Sequence, residues 1–301
     1  MDFNEVEEAR VASAKKIIRV NTITVIIFLV SVLIGATLSG IGLGLILVFF
    51  LSFAIAVSFY LLYHIFSYDD ELNRYKNVYK SYFVEQSLKN TFDNLIYSRD
   101  SGIDSNLVLN TGMIGEGDLS SNDFVSGNYH GVNFSQADVS ITVNAVDGYS
   151  VVFQGRWMIF EFPKKFAYRV EVVQNDFPDK KVPEVGPSGR KFEKYVVESP
   201  RFHDKFEIYA ESGLEAFHVL DPALINRIEI LSDNCKGKML LCFVDNKLHF
   251  ALHNRNDAFE PPDPRKKIDE EIEFKKVNNE LKTIVNFIDY LKMNNKIFIK
   301  K

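Results

Sequence analysis

The chain has two cysteines and one tryptophan in 301 residues. Cys235 and Cys242 lie seven apart, which is neither a CxxC pair nor a zinc-finger spacing. Two cysteines are too few for a disulfide framework, and both are expected reduced, in or beside a strand. A strong net charge is lacking too. The value is -5, so no global basic field points to nucleic acid. No internal repeat and no long low-complexity segment is visible. The charged fraction of 25%, the hydrophobic fraction of 47% and the mean hydropathy of -0.05 exclude a collagen, a disulfide-rich mini-protein and a disordered acidic chain.

The most informative absence is local. After Arg19 no charged residue occurs until Asp69. One helix needs about 20 residues to cross the hydrocarbon core, so this stretch is too long for one span and fits two. The break is expected where Gly35, Ser39, Gly40, Gly42 and Gly44 cluster. That gives a two-span transmembrane hairpin over 20–65, with spans at about 20–38 and 41–65. The second span holds sixteen Leu, Ile, Val or Phe residues. At about -0.3 to -0.6 kcal/mol each, they favour insertion by roughly -5 to -10 kcal/mol as an upper estimate. A cleaved signal peptide fits poorly, because Asp2, Glu5, Glu7 and Glu8 precede a run far longer than an h-region. His64 falls at the end of the second span, beside Tyr60 and Tyr63, as an interfacial side chain. Gly40 and Gly44 form a small-xxx-small pair, read as a tight bend or as an oligomerisation face.

Positive residues set the orientation. Arg10, Lys15, Lys16 and Arg19 precede the first span, and Arg74, Lys76 and Lys80 follow the second. The turn between has none. The positive-inside rule then puts both termini in the cytoplasm of a multi-pass protein of an inner or plasma membrane. Residues 1–19 form a cytoplasmic amphipathic segment. Residues 20–65 meet the lipid bilayer.

Beyond the hairpin the pattern changes. Leu72, Tyr75, Tyr79, Phe83, Leu88, Phe92 and Leu95 recur at helical spacing, predicting a juxtamembrane helix over 69–98. Residues 101–135 are rich in Gly, Ser, Asn and Asp. Strands are expected at 139–146, 151–162, 167–173, 194–197 and 205–210, with a polar loop at 178–191. In the first of these, Val139, Ile141, Val143 and Ala145 share one face of a half-buried strand. Residues 213–231 read as a helix broken at Pro222, with Asp221 as a new N-cap. A hairpin is expected across Asp245-Asn246. Asp263-Pro264 is expected to start a last amphipathic helix over 264–292, with Ile268, Ile272, Val277, Leu281, Ile284, Ile288 and Leu291 on its apolar face. Residues 99–301 thus form an α+β cytoplasmic domain with a mainly antiparallel sheet. The alternative is a pleckstrin-homology-like barrel with a C-terminal helix.

Residue types able to carry chemistry occur at several places in the chain. His249 and His253 have helical metal-ligand spacing, but LHFALHN alternates as a strand, where four residues span about 13 Å. They are expected on an exposed strand face. Gly112, Gly115 and Gly117 lack the helix and lysine of a phosphate loop. Ser199, His203 and Asp204 supply triad types on one short segment, where they rarely face one another. Glu161, Glu198 and Glu207 are carboxylates in or beside strands. His203, Glu207 and His218 flank a strand-to-helix crossing and are the first set to consider for a site assembled from distant residues. Lys164, Lys165, Lys180, Lys181, Arg190 and Lys191 form a dilute basic run that could meet anionic headgroups. None of these assigns a catalytic, cofactor or metal residue.

Four segments carry a resemblance: FxGxWxxFEFPKxF from Phe153 to Phe166, SPxFxxxFxIYAES from Ser199 to Ser212, EAxxxLxP from Glu215 to Pro222, and FxDNKLH from Phe243 to His249. In order, they resemble a bacterial membrane-protein family catalogued as domain of unknown function 3137. A two-span hairpin ahead of the soluble domain is similar to that family as well. The resemblance implies no activity, cofactor or catalytic residue. It suggests a partner among LemA-type membrane proteins. The expected function is a membrane-anchored cytoplasmic binding or scaffold protein, non-enzymatic rather than catalytic. A membrane-tethered enzyme and a self-assembling, homo-oligomeric hairpin are the alternatives.

Overall fold

The computed structural model describes residues 2–39, 45–63, 69–115, 117–145, 148–163, 165–257 and 259–292. The expected turn glycines Gly40, Gly42 and Gly44, together with His64 and Lys164, lie outside the described residues. The chain forms two compact units, Met1–Gln86 with Glu260–Phe274, and Ser87–Phe259 with Lys275–Lys301.

In the first unit, α1 (Phe3–Ser39) is continuous, so the expected boundary near residue 19 is not a break in the helix. Gly35 and Ser39 belong to it. Among the described residues one helix, within Phe3–Leu33, is long and apolar enough to cross a membrane. The helix α2 (Leu45–Tyr63) contributes a shorter apolar stretch, Phe50–Tyr60. Val6, Ala9, Ile17 and Val20 make a buried stripe on α1. Further along, Val25, Ile26, Leu29, Val30 and Leu33 are exposed. Thr22 and Thr24 donate to the carbonyls of Ile18 and Val20, and Ser31 donates to Phe28 O. These hydroxyls are therefore satisfied by their own helix.

The helix after α2 is shorter than expected. It comprises α3 (Asp69–Tyr79), a π-helical turn (Lys80–Val84) and α4 (Glu85–Thr91). Residues 93–98 are instead a strand, β1 (Asp93–Ser98). The helical run ends at Thr91, and Asn94, at φ 49° in the register shift of β1, takes a left-handed conformation within the strand.

The second unit is built on one antiparallel sheet of nine strands. After β1 and the short α5 (Ser105–Leu109) come β2 (Asp118–Tyr129), β3 (Val132–Ala145), β4 (Gly148–Glu161), β5 (Val170–Gln174) and β6 (Glu193–Tyr195). The chain continues through α6 (Pro200–His203), β7 (Phe206–Ala210), α7 (Gly213–Val219) and α8 (Pro222–Asn234). Then follow β8 (Lys238–Val244), β9 (Lys247–His253) and α9 (Glu270–Lys292), which begins in the first unit. The strand order is β1-β2-β3-β4-β9-β8-β5-β7-β6. The two end strands do not pair with each other, so the sheet is open and the barrel alternative is overturned.

The polar composition of 101–135 hid β2. Its hairpin with β3 turns at His130-Gly131, both at positive φ (50° and 84°), as a tight two-residue turn requires. The β8–β9 hairpin turns at Asp245-Asn246, as expected. Asp221 caps α8 by accepting from Leu224 N at 2.8 Å, so the broken-helix reading of 213–231 holds. Gly155 has a steric reason. A Cβ there would lie 2.0 Å from Leu252 O.

The last helix starts six residues later than Asp263-Pro264 suggested. Asp263 instead accepts from Arg265 N in a turn, at 2.9 Å. Arg10, itself buried, donates to the carbonyls of Pro264 and Lys266. Those acceptors are then not free for a first helical turn. Asp269 takes over as the cap, accepting from Ile272 N at 3.0 Å. Ile272 consequently faces outward, whereas Val277, Leu281, Ile284 and Ile288 are buried as expected.

Both faces of the sheet are covered. On one, Trp157, Ile159, Val173, Leu240, Cys242 and Ala251 belong to a single apolar cluster with Phe153 and Phe177. On the other, Phe287 of α9 packs on Phe160 and Phe250, each with ring centroids 4.8 Å apart.

Candidate functional site

The double-sided burial relocates several expected residues. His249 is buried, not exposed, because its face of β9 belongs to the cluster around Trp157. Trp157 Nε1 donates to His249 Nδ1 at 3.2 Å, so that nitrogen carries no proton. Burial pushes the His249 pKa down to about 3. His253 is half-buried and accepts from Gln154 N at 3.2 Å. Cys235 and Cys242 are free thiols. Burial raises Cys242 to about 12 and Cys235 to about 11, which leaves both as inert thiols at neutral pH.

The triad types do not assemble. Ser199 is the N-cap of α6, accepting from Phe202 N. His203 Nε2 sits against the backbone of Val197, 2.9 Å from its N and 2.7 Å from its O. Glu207 is paired with Lys180 and with Lys194 (2.7 Å). His218 lies in the last turn of α7. Glu161 is on β4 and Glu207 on β7, four strand spacings apart in the sheet, or about 19 Å. Glu198 lies outside any strand. The glycines Gly112, Gly115 and Gly117 precede a strand, and their loop is tied to the 178–191 loop by Lys181 N donating to Met113 O at 3.0 Å. The described basic run is dispersed among partners. Arg190 stacks over Tyr168 at 4.4 Å, and Lys191 meets Glu193 at 3.4 Å.

Three groupings were not foreseen. The first is a carboxylate cluster, Asp123, Asp138 and Asp257, whose oxygens lie within 4.8 Å of one another. Asp123 stands at a register shift in β2 with φ 54°. The shift turns its side chain toward Asp138 of the neighbouring strand. Tyr97 donates to Asp123 Oδ1 at 2.8 Å. Burial pushes Asp138 up to about 7; Arg156 opposes this, and Asp257 and Asp123 add to it. The arrangement can share a proton, and by donor type it is the set that could hold a cation. The two-residue alternation of 139–146 put Val139 and Ile141 inward, as observed, but Ala145, expected on the same face, is exposed where β3 ends. The strand begins at Val132 rather than 139, so the buried Gln136 and Asp138 fell outside the expected element.

The second grouping is Arg169 with Glu171, fully inside the protein and ion-paired. Glu171 lies opposite Cys242 in the sheet register, and Cys242 lies opposite His249. Burial raises the Glu171 carboxyl and Arg169 holds it down. Glu171 Oε2 and Arg169 Nε have no hydrogen-bond partner among the described residues. The sequence did carry a signal: Arg169 and Glu171 are two apart in a strand, so they share a face.

The third comprises two of the cavities among the described residues. In the first unit, a space of about 350 Å³ lies among Ile17, Val20, Tyr60, Tyr75, Lys76 and Arg265. In the second, a space of about 560 Å³ lies between α7, α8 and the β6–α6 connection, with Glu229 among its walls.

No curated protein matches the chain. Among solved structures, the crystal structure of the mycobacterial trehalose monomycolate transport factor A, TtfA, is similar at 11% identity and a TM-score of 0.39, covering 72% of this chain and 93% of that one. A family model described as "Protein of unknown function (DUF3137)" matches residues 151–293, from β4 into α9.

Proposed function

We propose that the protein is a membrane-anchored binding module whose sheet unit is presented to the cytoplasm. The observation that carries this reading is the outward face of α1 and α2. Leu29, Leu33, Phe50 and Leu51 are each about two-thirds exposed, and on α1 the hydroxyls of Thr22, Thr24 and Ser31 are satisfied by carbonyls of their own helix. Water is a poor solvent for such a surface and lipid is a good one. On this reading α2 is the second span of a hairpin. Arg10, Lys15, Lys16 and Arg19 before the hairpin, and Arg74, Lys76 and Lys80 after it, hold both termini on the cytoplasmic side. The sheet unit then binds rather than catalyses, since His203, Glu207 and His218 each have separate surroundings. A LemA-type membrane protein and a second copy of the chain are the partners this reading carries forward.

The test is membrane extraction followed by protease protection of the full chain. The protein should resist alkaline extraction, and its sheet unit should be cleaved only when the cytoplasmic side is exposed. Release by alkali sinks the anchor. Protection of the sheet unit in inside-out vesicles sinks the orientation.

A further inference from the structure

The groove between α7, α8 and the β6–α6 connection holds an orphaned charge. Helical spacing places Pro222, Ile225, Asn226 and Glu229 on one face of α8. Phe217 and Leu220 of the α7 segment, with Val197 opposite, give the groove an apolar lining. Its volume of about 560 Å³ lies within the range of small-molecule sites, roughly 300–1,000 Å³. Glu229 is 7% exposed, and its Oε1 is buried with no hydrogen-bond partner among the described residues. A buried carboxylate oxygen without a donor is destabilising, so a chain that keeps one next to a cavity is short of a donor there. The nearby basic residues are committed elsewhere: Arg201 and Lys205 both pair with Asp233. The second carboxylate on the groove is Glu198, and no lysine or arginine is among its described lining residues. The groove is therefore acidic at one point and apolar around it.

We propose that this groove binds an organic cation on an apolar stem, an ammonium or guanidinium whose N–H groups meet Glu229 while the stem packs on Phe217, Leu220 and Ile225. The assignment deepens the binding-module reading and rests on it. The same chemistry is carried by a free amine and by a lysine or arginine side chain of another protein.

The experiment uses the full chain in lipid nanodiscs, with empty nanodiscs as the blank. Calorimetric titrations compare 2-phenylethylamine with its neutral analogue 2-phenylethanol. A second arm compares the peptide acetyl-Leu-Lys-Leu-amide with the same peptide carrying norleucine for lysine. The charged probe of at least one pair is expected to bind about tenfold or more tighter than its neutral twin, since a hydrogen bond to a charged group is worth that much. The tighter arm assigns the source, free amine or protein side chain. Glu229→Gln keeps the shape and should abolish the preference. Phe217→Ala removes an exposed ring, with little risk to folding, and should weaken both members of the pair while leaving the preference intact. Equal affinity within both pairs overturns the proposal, as does an unchanged preference in Glu229→Gln or unchanged affinities in Phe217→Ala. Alkaline extraction of Glu229→Gln reads the anchor separately. Retention in the membrane with failed cation binding removes this site and leaves the anchored-module reading standing.

Discussion

The two units invert each other's use of polarity. In the first, large apolar side chains face outward: Leu33 is 67% exposed and Phe50 65%. In the second, charged side chains are inside: Glu171 is 0% exposed and Arg156 3%. The outward leucines are tolerable only if the surroundings are apolar. The inward charges are tolerable only if their partners are in place. The helices are thus conditioned by a solvent and the sheet by its own pairing, so the same kind of substitution should have opposite consequences in the two places.

The strongest way to break this comparison is at Arg169. Arg169→Met leaves Glu171 buried without its cation and should cost about 3–5 kcal/mol. Arg169→Met with Glu171→Leu should recover most of it, because the uncompensated charge is gone. Trp157 is the sole tryptophan and fully buried in the sheet unit. Its fluorescence during urea unfolding reports the result. A single variant as stable as the parent would mean that the pair does not hold the sheet. Next in size is a charge on the helices. Leu29→Asp should disfavour insertion by about 2.5–3.5 kcal/mol, read as the fraction resisting alkaline extraction. Val185 is also exposed, but in the sheet unit. Val185→Asp should change urea stability by no more than about 0.5 kcal/mol. Equal tolerance at both positions would erase the difference between the units.

Acidity sharpens the comparison within the sheet. The unfolded chain protonates His249 near pH 6.5, and the folded one only near 3. Acidification through that window therefore favours unfolding, by up to about 1.4 kcal/mol per pH unit. Asp138 acts in the opposite sense. The folded state keeps its proton up to about pH 7, whereas the unfolded state loses it above about 3.8. Stability from Asp138 therefore falls as pH rises across that range. His249 opposes Asp138 between about pH 4 and 6.5, and Glu171, which burial raises to about 7, adds to Asp138, so the parent should lose stability as pH rises there. Asp138→Asn should flatten the profile, and His249→Gln should steepen it. Urea midpoints measured across this range decide it. Parallel profiles for parent and both variants would count against the burial that sets these protonation states.

What the sequence made legible follows the same divide. The absence of charge from residue 20 to 68 was legible at once, and within it the structure has a helix long and apolar enough to cross a membrane. The β8–β9 hairpin and the Asp221 cap were legible because each rests on side chains within a few residues. Asp263 misled for the same local reason. It has a cap's chemistry, but Arg10, more than 250 positions away, holds the carbonyls that a helix beginning there would need. His249 was placed outside by alternation, which identifies two faces and cannot say that both are covered. Glu229 gave no signal. On a helix wheel it is an ordinary glutamate, and only the fold puts it at the wall of a cavity.

The smallest effect concerns that local logic. Asp221 ends one helix segment and starts the next, and its side chain supplies the acceptor for Leu224 N. Asp221→Ala leaves that N–H without its side-chain partner and should cost about 1 kcal/mol, while Asp221→Asn should restore nearly all of it. The loss should fall on the first turn of α8, where Pro222 and Ile225 form one wall of the acidic groove. Amide exchange in that turn should therefore quicken in Asp221→Ala and stay slow in the core strands β8 and β9. If β8 and β9 loosen equally, the cap stabilises the whole sheet unit, and the groove wall is not a separable local element.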